Sequence, residues 1–144
     1  PWIVEKDANQ FRRAVYVLRR RSTPYPFLSA FDVPNGESSC VRRTKSNTPM
    51  QALMTLNETM SMEAASALAK RMVQHGDTDE ARIVYGFKVC TAREPNANER
   101  KVLLDLLQRQ KGRGTEANGA GKSIDPLTAV ARVLLNLDET ITKE

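Results

Sequence analysis

Thr48-Pro49-Met50-Gln51-Ala52-Leu53-Met54-Thr55-Leu56 is the stretch on which the fold turns. A threonine hydroxyl can accept from the exposed amides of a helix start. Proline suits the first helical position because no N–H is needed there, and Gln51 completes a Thr-x-x-Gln capping box with Thr48. Met50, Leu53, Met54 and Leu56 then supply an apolar face, and Asn57 marks a break. A helix beginning at residue 49 is the consequence.

The same punctuation recurs downstream. Met60, Ala64, Leu68 and Met72 repeat every four residues until His75-Gly76, where glycine is a common helix stop. Asp77 or Thr78 opens a further helix with Ile83, Val84, Phe87 and Cys90 facing inward, and Arg93-Glu94-Pro95 breaks it. Asn96 caps another, with Glu99 at its third position and Val102, Leu103, Leu106 and Leu107 as the buried stripe. Gly112 to Lys122 is glycine-rich and polar. Asp125-Pro126 opens a last helix bearing Leu127, Val130, Ala131, Leu134, Leu135 and Ile141. No alternating strand pattern follows residue 48. The expected fold is mainly α, a bundle of about five helices over 48–144 with a flexible loop at 112–124.

Upstream of Thr48 the pattern is less regular. From Asp7 to Arg21, Phe11, Ala14, Val15 and Leu18 recur at helical spacing, yet Val15-Tyr16-Val17 favours a strand, so helix and short strand both stay open. Ser22-Thr23-Pro24-Tyr25-Pro26 ends that element, because each proline biases its predecessor away from helix. A short turn at Phe27–Phe31 leads into an irregular loop from Asp32 to Ser46, with Pro34, Asn35 and Gly36 at its start. Residues 1–47 therefore form a separate segment, expected to continue an upstream domain. The opening Pro1-Trp2-Ile3-Val4 lacks both an initiator Met and a signal peptide, in keeping with that expectation.

Charge divides the chain at the same place. Residues 1–48 hold nine Lys/Arg against four Asp/Glu, whereas residues 49–144 hold thirteen of each, so the net +5 of the 144-residue chain lies wholly in its first third. An ordinary apolar fraction of 40% allows a real core. No run approaches the roughly 18 apolar residues that a membrane-spanning helix needs. Two cysteines and one histidine fall short of the ligand set of structural zinc, and Cys-x-x-Cys-His is absent, so no metal or covalent haem is expected in this segment.

Candidate residues follow from chemistry. Arg12, Arg13, Arg19, Arg20, Arg21, Arg42, Arg43 and Lys45 form a basic set interleaved with Tyr16, Tyr25 and Phe27. Arginine forks grip carboxylate, sulfate and phosphate groups in two-pronged fashion. Docking onto another domain, binding of sulfated or uronic-acid polysaccharide, and nucleic-acid binding are the three readings, in that order. Cys40 stands two residues before Arg42-Arg43, where cations favour a reactive or metal-binding thiolate; the plainer alternative is a loop cysteine packed on the bundle. Asp32, Cys40, Arg42 and Arg43 together would make an anion or glycan site if they converge on one pocket, with Arg12, Arg13 and Arg20 beside it. His75 lies at a helix C-terminus, where the helix dipole suits it, and Cys90 on an apolar stripe. Gly119-Ala120-Gly121-Lys122-Ser123 resembles the tail of a phosphate-binding loop, but Glu116 stands where that motif needs glycine and no strand precedes it, so a linker is expected.

Arg12-Arg13-Ala14-Val15-Tyr16, Pro24-Tyr25-Pro26-Phe27-Leu28, Phe31-Asp32-Val33-Pro34, Cys40-Val41-Arg42-Arg43, Asn47-Thr48-Pro49-Met50-Gln51-Ala52-Leu53 and Leu56-Asn57 follow one another in fixed order. With Tyr85-Gly86-Phe87, Arg93-Glu94-Pro95 and Ala131-Arg132-Val133-Leu134-Leu135-Asn136, this string resembles the C-terminal uncharacterised domain of planctomycete-type, cytochrome c-associated proteins (domain-of-unknown-function family fifteen-fifty-three). Thr59 departs from it, since relatives often place proline after the Leu-Asn pair. The resemblance implies a periplasmic, cell-envelope or secreted location, and a haem-bearing cytochrome c domain upstream in the same chain. It assigns no catalytic residue. The expected role is an interaction or scaffolding module beside that domain, with the anion or glycan site and nucleic-acid binding as alternatives.

Overall fold

The structure, a computed structural model, describes residues 11–17, 20, 22–34, 36–37, 39–42, 46–116 and 124–142. The chain divides into two compact units, Pro1–Met60 and Ser61–Glu144. The division falls in the first turn of a helix.

In the first unit, residues 11–17 form neither the helix nor the strand that their pattern allows. Phe11 and Ala14–Tyr16 are in 3-10 conformation, and the nearby Arg20–Thr23 pairing is an isolated bridge. An amphipathic stripe is held helical mainly by packing, and here Val15 is 76% and Tyr16 64% exposed. Helix α1 (Pro26–Ala30) begins on a proline and brings the Phe27 and Phe31 rings to 4.9 Å, one turn apart. Asp32 follows in the left-handed region at φ 57°, which reverses the chain into the loop. Helix α2 (Pro49–Asn57) starts as expected: the Gln51 amide donates to Thr48 Oγ1, and the Thr48 amide donates to Gln51 Oε1. Helices α1 and α2 pack together. Among the described residues of this unit no large apolar side chain is fully buried; the buried side chain is that of Gln51, 1% exposed.

Helix α3 (Thr59–His75) starts after a single extended residue, Glu58, whose carboxylate accepts from the Met60 amide at 2.6 Å. The break therefore forms with threonine, and no proline, at position 59.

The second unit contains the core. It is built by α3 with α4 (Asp79–Thr91), α5 (Ala97–Glu116), α6 (Pro126–Leu135) and α7 (Asp138–Ile141). Thr78 caps α4, Asn96 and Glu99 form a second capping box at α5, and Asp125 caps α6. Ala65, Leu68, Ala69, Met72, Ile83, Phe87, Leu103, Leu107, Val130, Ala131 and Leu134 are buried together. The inward faces are close to those expected, with three shifts. Ala64 is exposed, and the α3 stripe runs instead through Ala65, Leu68, Ala69 and Met72. Val102 is 66% exposed. Ile141 lies on α7, because α6 stops at Leu135 and Leu137 starts a new turn. Helix α5 also runs through Gly112 to Glu116, into the stretch read as loop. The Gly119–Ser123 motif lies outside the described residues.

Candidate functional site

The candidate residues separate into a hydrogen-bonded group and an exposed group. Asp32 leads the first. Its carboxylate accepts the Ser46 amide at 2.7 Å and the Ser46 hydroxyl at 2.7 and 2.9 Å, closing a loop across fourteen positions of chain. Gln51 ties that closure to the helices, since Nε2 donates to the Ala30 carbonyl at 2.9 Å and to Ser46 Oγ at 3.2 Å. One buried amide thus joins the end of α1, the end of the loop and the start of α2. Thr48 and Gln51 do more than cap, and Asp32 belongs with them. Ser46 carries no spacing signal that would have singled it out; its role comes from long-range closure.

Cys40 and Arg42 form the second group. Cys40 is an exposed free thiol whose Sγ donates to the Arg42 carbonyl at 3.2 Å, bridging over Val41. Val41 itself is 101% exposed. The described bonds of Asp32 go to Ser46 and that of Cys40 goes to Arg42, so no described hydrogen bond joins aspartate and thiol. Arg43 lies outside the described residues. Arg12, Arg13 and Arg20 are exposed; Arg13 lies 6.0 Å from the Tyr16 ring centroid, and the Arg20 carbonyl accepts from the Thr23 amide. A cation over an aromatic face at such a distance is a weak, solvent-exposed attraction.

Two clusters of the second unit were not evident from sequence. Arg93 is the hub of one. Its guanidinium meets Glu99 at 2.7 and 2.9 Å, meets Glu139 at 2.8 to 3.2 Å and lies 4.8 Å from the Phe87 ring centroid. Those hydrogen bonds hold the Glu99 carboxyl down at about 2, with the Arg93 bond the largest cause and the Asn96 amide next. The Arg93 partners come from the α5 start and from α7, so the residue fastens the α4–α5 corner to the last helix. The second cluster lies across α3 and α4, where His75 stacks on Tyr85 at 4.3 Å and Arg71 donates to the Tyr85 hydroxyl. His75 has an aromatic partner from another helix, which spacing within its own helix could not reveal. Cys90 is half-buried, and burial pushes its thiol up against the opposing pull of Arg71. Both cysteines are free. Among the described residues no group of three or more His, Cys, Asp or Glu side chains could hold a metal ion, and no helix is long and apolar enough to cross a membrane.

No curated protein and no solved structure gives a significant match to the chain. A family model matches residues 2–107, covering the Asp32–Gln51 closure, both arginine stretches and the Arg93 corner. The match ends within α5, so Ala131–Asn136 lie beyond it. Since that match spans well over half of the chain, the chain belongs to the family described as PSD1, protein of unknown function (DUF1553).

Proposed function

We propose that the chain is a non-catalytic helical module that docks on the domains preceding it in a longer envelope or secreted polypeptide, a haem-bearing cytochrome c-type domain among them, and holds them in place. The observation that carries this reading is the surface of the first unit. Phe11, Val15, Tyr16, Met50 and Leu53 are each more than half exposed there, interleaved with exposed arginines. Aromatic residues, Met and Arg are the types enriched at protein interfaces, and an excess of arginine selects an acidic partner and steers its approach. The second unit meanwhile has a packed core, and residues 49–144 carry a balanced set of charges, as expected of a support.

Hydrogen exchange tests this directly. Amides around Phe11–Val17 and Met50–Leu53 are expected to exchange more slowly in the whole natural polypeptide than in the isolated 144-residue chain. The difference shrinks as salt is raised, because screening weakens exposed charge pairs. Equal exchange in the two samples at low salt would remove the proposal.

A further inference from the structure

Val41 is the most exposed large apolar side chain described in the protein, at 101%, and it sits on a loop that is far from loose at its base. Ser46 closes that base on Asp32, and the buried Gln51 amide binds Ser46 and Ala30 from beneath. At the tip, the Cys40 thiol donates to the Arg42 carbonyl at 3.2 Å and so bends the chain around Val41. The protein holds an apolar side chain outward, next to an exposed guanidinium, on a framework of hydrogen bonds. Within the chain that arrangement gains nothing from burial. Covering such a side chain removes apolar surface from water, and a tip bent by its own hydrogen bond has less freedom to lose on docking.

Resting on the docking role proposed above, we infer that Cys40-Val41-Arg42 is the anchor of that interface. Val41 enters an apolar pocket on a partner protein domain, and carboxylates at the pocket rim receive Arg42. The acidic rim follows from charge complementarity, since the net +5 of the chain is confined to residues 1–48. Asp32 and Gln51 are positioning residues for the anchor and do not touch the partner.

Cys40 supplies a native reporter of this contact. In the whole natural polypeptide, maleimide modification of Cys40, followed by peptide mass, should run at least about tenfold slower than in the same protein unfolded in guanidinium, a protection of roughly 1.4 kcal/mol. Val41→Asp and Arg42→Glu should each bring the rate up towards the unfolded one, while the half-buried Cys90 keeps its wild-type rate and confirms that the fold is intact. Rapid Cys40 modification in the wild-type protein, with hydrogen-exchange protection at Phe11–Val17 and Met50–Leu53 preserved, overturns the anchor and leaves the wider docking role standing. Loss of both protections overturns both. Shielding of Cys40 that develops only on adding phosphatidylserine vesicles overturns the protein-pocket assignment in favour of a membrane surface.

Discussion

Each polar atom of the Gln51 amide has a partner: Oε1 takes the Thr48 amide, and Nε2 serves both Ala30 and Ser46. Replacing this 1%-exposed side chain with alanine takes those bonds from the Thr48 amide and the Ala30 carbonyl, so Gln51→Ala should cost roughly 1–3 kcal/mol in denaturant unfolding of the first unit. Gln51→Glu keeps an acceptor for Thr48 but turns an anion towards the Ala30 carbonyl, and should recover little of the loss. A loss no larger than that of an exposed alanine substitution would show that the closure contributes nothing. Gly76 presents a different constraint. A Cβ there would lie 2.7 Å from the Arg82 backbone nitrogen and 3.0 Å from the Ala81 carbonyl carbon, atoms that cannot step aside. Gly76→Ala is therefore expected to lower stability by about 1–3 kcal/mol through overpacking, read from the midpoint of thermal or denaturant unfolding. Both residues were half legible in the sequence. The Thr-x-x-Gln spacing disclosed the cap, but bonds reaching twenty-one positions back to Ala30 leave no local pattern. Glycine after His75 did mark the end of a helix, yet Gly76 is not among the residues with positive φ. Its place is set by the close approach of the α4 backbone.

Helix starts in this chain were readable because each rests on a side chain near in sequence to the amides it serves: Thr48, Thr78, Asn96 and Asp125. Helix ends were readable in part: α2 and α3 stop at Asn57 and His75 where their break signals stand, whereas α5 runs on past Gly112 and α6 stops short of Ile141. Helix α4 ends with Ala92 in the left-handed region at φ 62°, and no glycine advertises it. Relief of that backbone strain should outweigh the extra freedom a glycine gives the unfolded chain, so Ala92→Gly is expected to stabilise by up to about 1 kcal/mol in denaturant unfolding. An unchanged or lower midpoint would show that the strain is not stored there. The Arg93 fastening between α5 and α7 has a pH signature. Glu99 has a folded-state value of about 2 against an ordinary 4.5. Its contribution is complete above about 4.5 and disappears as pH falls towards 2, because the unfolded chain takes up the proton first. Glu99→Gln retains an acceptor for the Asn96 amide but not the charge. Its Tm should lie below that of the wild type at neutral pH and converge with it through that acid window. Parallel Tm profiles from neutrality to pH 2 would show that the pairing adds no stability, as is common for solvent-exposed ion pairs.

Over the whole molecule, charge and burial part company in a way that only one of them made visible in sequence. Counting residues located the basic excess, because charge needs no fold to be seen. Met50 and Leu53, by contrast, have the spacing of core residues and are 63% and 57% exposed, so a core-like pattern did not bring burial with it. A stripe on a capped helix states that something covers it, not whether the cover lies in the same unit. The buried apolar side chains that hold the described structure all lie at residue 65 or beyond, and resistance to local opening follows apolar burial. Trypsin acting on the isolated chain should therefore cut after Arg12, Arg13, Arg20 and Arg42 well before it cuts after Arg71, Arg82 or Arg100, with the order read by time-resolved peptide mass. Simultaneous loss of both sets would mean that the two units open as one and that the first is no weaker for lacking a core. When the same digestion is run on the whole natural polypeptide, docking should slow cleavage at the first set while leaving the second nearly unchanged. A partner that supplies the missing burial protects only the unit that lacks it.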